Sequence, residues 1–286
     1  MSSVPIYKIS EENHSDYIEV VELQERNSYD ATKPHKHEYV ELFLFTKGGG
    51  VHDIDFKTHE IISNSVHFVF PNQIHKVSRE LDTYGHVILV SKEYFTHLDY
   101  DLYVQFFHAF YLQPTLELDV ERFTKVQSLI EQIKEELLEK TPYFEAVVKD
   151  YIHILLKLFL RHQSVLGTGE LSTHPDFKTY MNLLMLVEGH YKEHQPISYY
   201  SEALQVSSRK LNAICKTYHS HSCLTVLNDR IILEAKKILL YSNMSVKDVM
   251  YTLNFKDPAY FNRFFKSKTG HTPSGYKALE AKKYHK

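Results

Sequence analysis

Between Ser245 and Lys266 the chain has few ways to fold other than as two short helices joined by a tight turn. Ser245 offers a side-chain oxygen to the first free N–H groups of a helix, and Val246, Val249, Met250 and Leu253 follow at intervals of three and four. Asn254 tolerates the left-handed backbone that a sharp helix exit requires. Pro258 suits the first turn of a second helix, whose Phe261, Phe264 and Phe265 form an apolar face. The other face carries Asn262, Arg263 and Lys266, donors of the kind that read base edges and hold phosphates. The spacing predicts a helix-turn-helix with its second helix turned outward.

Leu253, Asn254, Phe255, Asp257, Tyr260, Phe261, Arg263, Phe265 and Lys266 stand at fixed intervals, followed by Gly270, Thr272, Pro273, Ser274 and Tyr276. This string resembles the second helix-turn-helix of the arabinose-regulator (AraC) family of bacterial transcription factors, with Asn254 where the family usually has Gly and Met250 where it has Ala. The resemblance implies an earlier copy, and Ile197 to Leu204 reads as a short helix capped by Ser198, with Val206 and Ser207 as the turn. Ser208 to Tyr218 then forms a helix with Leu211, Ile214 and Cys215 inward and Arg209, Lys210, Asn212 and Lys216 outward. Here Cys215 stands for the family's Phe, and Ser220 and Cys223 for its Gly and Pro, so this copy is expected to pack more loosely and contribute less specificity. The DNA-contacting set that follows is Ser207, Ser208, Arg209, Lys210, Asn212 and Lys216 in the first copy, and Pro258, Ala259, Tyr260, Asn262, Arg263 and Lys266 in the second.

Leu224, Leu227, Ile231, Ala235, Ile238 and Leu239 keep helical spacing, which predicts one connecting helix from Leu224 to Tyr241, roughly 27 Å long. Adjacent major grooves lie about 34 Å apart, so such a rod suits two readers on one face of DNA. The competing reading is an all-helical core in which Arg263 and Lys266 are only a solvated face. Charge favours the first reading. From His174 onward there are 17 Lys and Arg against 9 Asp and Glu, which leaves 16 against 27 before it. A chain of net charge −3 thus joins a basic tail, with the footprint of a phosphate binder, to an acidic body.

At 286 residues and 43% hydrophobic content, two domains each with a core are expected. The start lacks the apolar run of a signal peptide, and no stretch approaches the ~18 apolar residues of a membrane span, so a cytoplasmic protein with no membrane partner is expected. Cys215 and Cys223 are too few for a disulfide framework and lack metal-site spacing.

Residues 17–95 have another texture: β-branched and aromatic runs alternate with turn signals such as Lys47-Gly-Gly-Gly50 and Pro71-Asn72, the pattern of a small antiparallel barrel or sandwich. Period-two alternation puts His35, His37, Tyr39, Glu41, Phe43 and Phe45 on one face. The spacing His-x-His-x3-Glu-x6-Gly, ending at Gly48, resembles the first motif of the cupin superfamily, and Phe68 to His75 a compressed second motif. Sensor domains of AraC-type regulators are cupin-like, so the resemblance implies an α+β two-domain chain with a cupin-like antiparallel β-barrel before the DNA-binding module. His35, His37, Tyr39, Glu41, Phe43 and His75 are the expected ligand-binding set, with no cofactor and no metal assigned. Imidazoles and a carboxylate at these spacings are also what catalytic cupins use to hold iron, manganese or zinc. A third reading has the barrel filled by its own aromatic side chains.

Val120, Phe123, Val126, Ile130, Ile133 and Leu137, then Phe144, Val147, Val148, Tyr151, Ile154, Leu155, Leu158 and Phe159, predict a helical hairpin over 119–163, closed near Thr141-Pro142. It covers the barrel or pairs subunits into a homodimer. Residues 166–173 read as a flexible linker between a domain at 1–165 and a DNA-binding domain at 174–286, the helix-turn-helices falling at 197–218 and 245–268, with Phe177 to Tyr191 as that domain's first helix. The expected function is a sequence-specific regulator, an activator by resemblance, that binds double-stranded promoter DNA, RNA polymerase and a small-molecule effector. The alternatives are a constitutive regulator with an empty sensor and a metal-dependent cupin enzyme with a DNA-binding tail.

Overall fold

In the computed structural model, which describes residues 6–7, 18–23, 32–91, 94, 100–111, 113–163, 175–219 and 221–284, contacts divide the chain into two units, Pro5–Glu170 and Leu171–Lys286. The expected linker at 166–173 lies outside the described residues.

Among the described residues the first unit carries ten strands: β1 (Ile6–Tyr7), β2 (Ile18–Glu22), β3 (Lys36–His37), β4 (Val40–Lys47), β5 (Gly50–Ile54), β6 (Lys57–Glu60), β7 (Ser65–Val69), β8 (His75–Arg79), β9 (Tyr84–Val90) and β10 (Thr115–Glu117). An antiparallel five-stranded sheet runs β10-β7-β4-β9-β2, a three-stranded one runs β6-β5-β8, and β1 pairs with β3 in parallel. Period two holds along β4. Glu41, Phe43 and Phe45 share a face with their partners Val69, His67 and Ser65, whereas Leu42 sits opposite Phe68 on the other face. The inner face meets the smaller sheet: Tyr39, Phe43, Phe45, Val69, Val87 and Leu89 pack with Ile54 and Val77 in one core. Among the described residues no ladder joins the two sheets, so the expected barrel is an open one, two sheets face to face. The chain crosses between them at Gly48–Gly50. Gly50 has φ +93°, and a Cβ there would lie 2.1 Å from Ser78 O, so the close crossing demands glycine.

The larger sheet's other face is covered by α1 (Tyr100–Tyr111), α2 (Val120–Glu139) and α3 (Phe144–Gln163). Phe68 stacks on Phe110 with ring centroids 4.0 Å apart and meets Phe106 and Phe159 edge-on at 5.3 and 5.4 Å. Helix α2 begins where Asp119 accepts the Arg122 N–H at 2.8 Å and ends at Lys140, whose φ of 51° turns the chain back. The hairpin forms as its periodicity predicts, but Val120 and Ile154 are exposed. Ile152 and Leu156, one turn apart, take the buried face of α3 in place of Ile154 and Leu158. The sequence reading assigned no helix at α1.

The second unit is helical: α4 (Pro175–His190), α5 (Ile197–Ala203), α6 (Ser208–His219), α7 (Cys223–Tyr241), α8 (Val246–Thr252), α9 (Pro258–Thr269) and α10 (Pro273–Tyr284), with one 3-10 turn at Tyr191–Glu193. It repeats itself. Helices α6 and α9 both have 12 residues, α5 and α8 both have 7, and Leu211, Cys215 and Cys223 correspond to Phe261, Phe265 and Pro273. Each turn uses one non-glycine left-handed residue, Gln205 (φ 55°) and Asn254 (φ 58°). Leu227, Ile231, Ala235 and Leu239 of α7 are buried as spaced, whereas Leu224 is exposed, because Cys223 and Val226 take the buried side of the first turn. Pro196, not Ser198, occupies the cap position of α5; its extended backbone starts the helix and leaves Ser198 inside it. No described helix is long and apolar enough to cross a membrane.

Candidate functional site

Local sequence fixes the second helix-turn-helix. The Ser245 hydroxyl accepts the Asp248 N–H at 3.2 Å and the Asp248 carboxylate accepts the Ser245 N–H at 3.1 Å, a reciprocal cap on α8. Asp257 caps α9 in turn, accepting the Tyr260 N–H at 2.5 Å, with Pro258 as first helical residue. Phe261 and Phe265 are fully buried against Leu239, Val249, Met250 and Leu253, which leaves α9 one outer face. Pro258, Ala259, Tyr260, Arg263 and Lys266 lie on it, exposed. Asn262 is half-buried and donates to Pro258 O at 2.9 Å, so its amide is bound to its own helix.

In the first copy Ser207 caps α6, accepting the Lys210 N–H at 3.2 Å. Ser207, Arg209, Lys210 and Lys216 are exposed, while Ser208 is half-buried beside Ser201, hydroxyl to hydroxyl at 3.0 Å. Two expectations change. Asn212 does not face outward: it donates to Ser208 O at 3.0 Å and accepts the Cys223 N–H at 3.1 Å, tying α6 to the start of α7. Lys210 is ion-paired with Asp176 of α4 at 2.5 Å, so its charge is partly met within the unit. Cys215 and Cys223 are free and buried, and the hydrogen bond between them together with burial pushes the Cys215 thiol far up. Ser220 lies outside the described residues.

Arg230, to which the sequence reading gave no role, locks this unit. It donates to both Glu188 oxygens at 2.6 and 2.9 Å and to Glu234 at 3.0 Å, and it lies 4.0 Å from the Tyr191 ring centroid. Helix α4 and the helix beneath both readers are thereby held together.

In the first unit, β4 and its neighbours gather the histidines. His35, His37, Glu41 and His75 are all buried, in the core between the sheets. The His37 Nδ1–H donates to Tyr39 O at 2.7 Å, with the ring stacked on Tyr39 at 4.2 Å, and the His35 Nδ1–H donates to Lys33 O at 2.9 Å. A carbonyl only accepts, so each of these rings, when neutral, carries its proton on Nδ1 and presents a bare Nε2. His37 Nε2 lies 3.1 Å from His75 Nε2 and 3.2 Å from Glu41 Oε2, and the latter two are 3.3 Å apart. One proton cannot bridge all three edges of that triangle. Phe43 sits edge-on to His75 at 5.9 Å. The structure therefore brings all six expected ligand-set residues into one core.

Three further histidines were missed. His52 Nε2 lies 3.1 Å from His75 Nδ1, and His52 Nδ1 lies 3.3 Å from His67 Nδ1. His59, cross-strand partner of His52, has its ring 6.4 Å from that of His67. Burial pushes His75 and His52 well below the ordinary imidazole range and His67 down to about 3, neighbouring imidazoles adding to the effect. The rings therefore stay neutral at pH 7 and keep lone pairs for a cation or a donor. Strand alternation held the one available signal, since His52 and His67 occupy inward positions.

Metal binding was the alternative that the spacing shared with catalytic cupins raised, and the donor set fits an ion. Ligands about 2.0–2.1 Å from a tetrahedral ion lie about 3.3–3.4 Å from each other, and octahedral neighbours lie slightly closer. The edges of 3.1, 3.2 and 3.3 Å match, and the His35 ligand atom lies within 4.8 Å of those of Glu41 and His75.

Comparison with known proteins finds relatives for both parts of the chain. Residues 20–147 match the AraC-like ligand binding domain family, and residues 200–278 match a helix-turn-helix domain family. The HTH-type transcriptional activator RhaR of Escherichia coli strain K12 is 20% identical over 267 residues, spanning 93% of this chain and 94% of its own. The structure of ToxT from Vibrio cholerae O395 is 13% identical over 92% of this chain and 96% of its own, with a TM-score of 0.42. The C-terminal domain of the response regulator yesN from Fusobacterium nucleatum is 25% identical over 33% of this chain and 93% of its own, with a TM-score of 0.32.

Proposed function

This chain belongs to the AraC family of DNA-binding transcription regulators, and from that premise we propose how its residues divide the work. Residues 174–286 form the DNA-binding domain. The exposed face of α9, with Tyr260, Arg263 and Lys266, enters one major groove, and the face of α6 with Arg209 and Lys216 enters another. The observation that carries this reading is the repeated build: each helix has one wholly buried side and one solvent side bearing cations.

Residues 1–165 form the sensor, which turns over no substrate and receives a small effector at the histidine–carboxylate cluster. Effector binding changes activity by favouring one state of the chain over another. The hairpin α2–α3 pairs subunits into a dimer, supported by Leu138 and Tyr143, each 84% exposed at its closed end. The complex acts as an activator on promoter DNA in the cytoplasm, through contact with RNA polymerase.

Selection of bound duplexes from a random pool tests the reading. The expected product is a consensus of two unequal segments about one helical turn apart. A pool that returns no enriched sequence would overturn it.

A further inference from the structure

We propose that His194 is a positioning residue for two-groove binding: its tie to the turn of the second helix-turn-helix fixes the placement of one reader against the other, and with it the length of spacer accepted between the two DNA segments. The inference rests on the two-reader reading above and adds what sets the distance between the readers.

Three observations carry it. The connection at residues 191–196 leads from α4 straight into the first reader, yet its side chains reach the second. The His194 Nε2–H donates to Leu253 O at 2.6 Å, and the His194 ring meets Phe255 edge-on with centroids 4.4 Å apart. Leu253 and Phe255 flank Asn254, whose left-handed backbone (φ 58°) sets the exit of α8 and hence the approach to α9. A carbonyl only accepts, so this ring nitrogen carries a proton, and the bond serves an acceptor at the end of α8, where helical donors run out.

The connection is also anchored toward both readers. Tyr191 packs against the core that holds Val249, Leu253 and Phe261, and it carries Arg230 on its ring. Glu193 accepts from His190 Nδ1 at 3.0 Å and from Gln195 Nε2 at 3.0 Å, while the His190 ring meets Tyr199 of α5 edge-on at 5.5 Å. Finally, His194 is exposed and left-handed, with φ 50° and ψ 38°. Such a backbone persists in a non-glycine residue where surrounding contacts over-determine it, and an exposed ring has no core to fill.

Helix α7 sets the separation of the two modules along its own axis. A tie between them outside α7 resists twist about that axis, and twist is what a changed spacer demands. One base pair moves the second segment by about 3.4 Å and about 34° around the duplex.

The experiment uses the full-length chain and the duplex selected from the random pool, with the spacer between its two segments lengthened or shortened by one base pair. Wild type should bind either altered duplex at least about tenfold more weakly, the loss of one reader's base contacts. His194→Asn tolerates the left-handed backbone but is too short to reach Leu253. It should cut the spacer penalty to about threefold or less, with affinity for the selected duplex within about fivefold of wild type. His194→Gln, whose amide nitrogen can take the place of Nε2, should restore the wild-type penalty. An unchanged penalty in His194→Asn overturns the proposal, and so does a loss of affinity equal at every spacer, which a purely structural role would give. Should His194→Asn not fold, His194→Gly is read by the same outcomes. Failure of both to fold overturns the proposal, since the residue would then serve stability. If wild type binds all spacers alike, the two-groove reading falls as well. If wild type and His194→Asn discriminate equally, that reading stands and the tie alone is wrong.

Discussion

Arg263→Ala isolates the proposed contact face with little structural side effect. Arg263 is exposed on α9, on the side away from the fully buried Phe261 and Phe265. The substitution removes solvated atoms and places a better helix former at a surface site, so unfolding free energy should move by less than about 0.5 kcal/mol. If the guanidinium makes a bidentate contact to a base, its loss should cost about 1–3 kcal/mol, or roughly 5–150-fold in affinity, and relax preference at one base pair. Lys266→Ala is the control on the same face. A phosphate contact should weaken all duplexes alike and lower the slope of log affinity against log salt by about 0.9. Fluorescence anisotropy on the selected duplex and on single-base variants, at several salt concentrations, measures both quantities. Affinity within twofold of wild type for Arg263→Ala, with unchanged discrimination, would refute the docking face.

In the same assay Arg209→Ala should cost less than Arg263→Ala, and a larger loss would make the first reader dominant. Arg230→Met should destabilise the helical unit by about 2–3 kcal/mol in urea melts, less than the about 3–5 kcal/mol of a sealed pair, since Glu188 stays 31% exposed. Replacing Glu188 by Met as well should recover much of that loss; no recovery would mean that the pairing was incidental. For His67, burial puts the folded value near 3, below its ordinary 6.5. Its contribution to stability is therefore complete above about pH 6.5 and lost as pH falls toward 3, by up to about 1.4 kcal/mol per pH unit. Urea midpoints of wild type and His67→Gln measured between about pH 7.5 and 5 should diverge, and parallel curves would remove His67 as the cause.

What the sequence made legible was decided within a few residues. The caps at Ser245 and Asp119, the proline at position 258 and the turn at Asn254 act on their own helix, so spacing alone placed α2, α3, α7, α8 and α9 within a residue or two. The alternation of β4 similarly placed Glu41, Phe43 and Phe45 inward, whereas the expected single strand from His35 to Phe45 breaks at residues 38–39 and leaves His37 in the separate β3. What stayed hidden depends on distant chain. Asn212 faces inward because the start of α7 presents an N–H to it, and Leu224 is exposed because Cys223 and Val226 take the buried side of that helix's first turn. His52 and His67 reach the cluster through pairing between strands far apart in sequence, so alternation could turn them inward but could not place them beside His75. Helix α1 was unassigned, and its Phe106, Phe107 and Phe110 pack on Phe68 and Phe70 of the sheet.

The duplicated build of α5–α6 and α8–α9 is not a symmetric one. One copy fills its core with Phe261 and Phe265, the other with Leu211 and Cys215, and Asn212 ties the first reader to α7 through a bond that Asn262 does not make with α10. Two unlike readers in a fixed order give the unit a head and a tail. A binding site for it is consequently a vector, and turning the site end for end reverses which reader faces the transcription start, so orientation itself becomes part of the regulatory message.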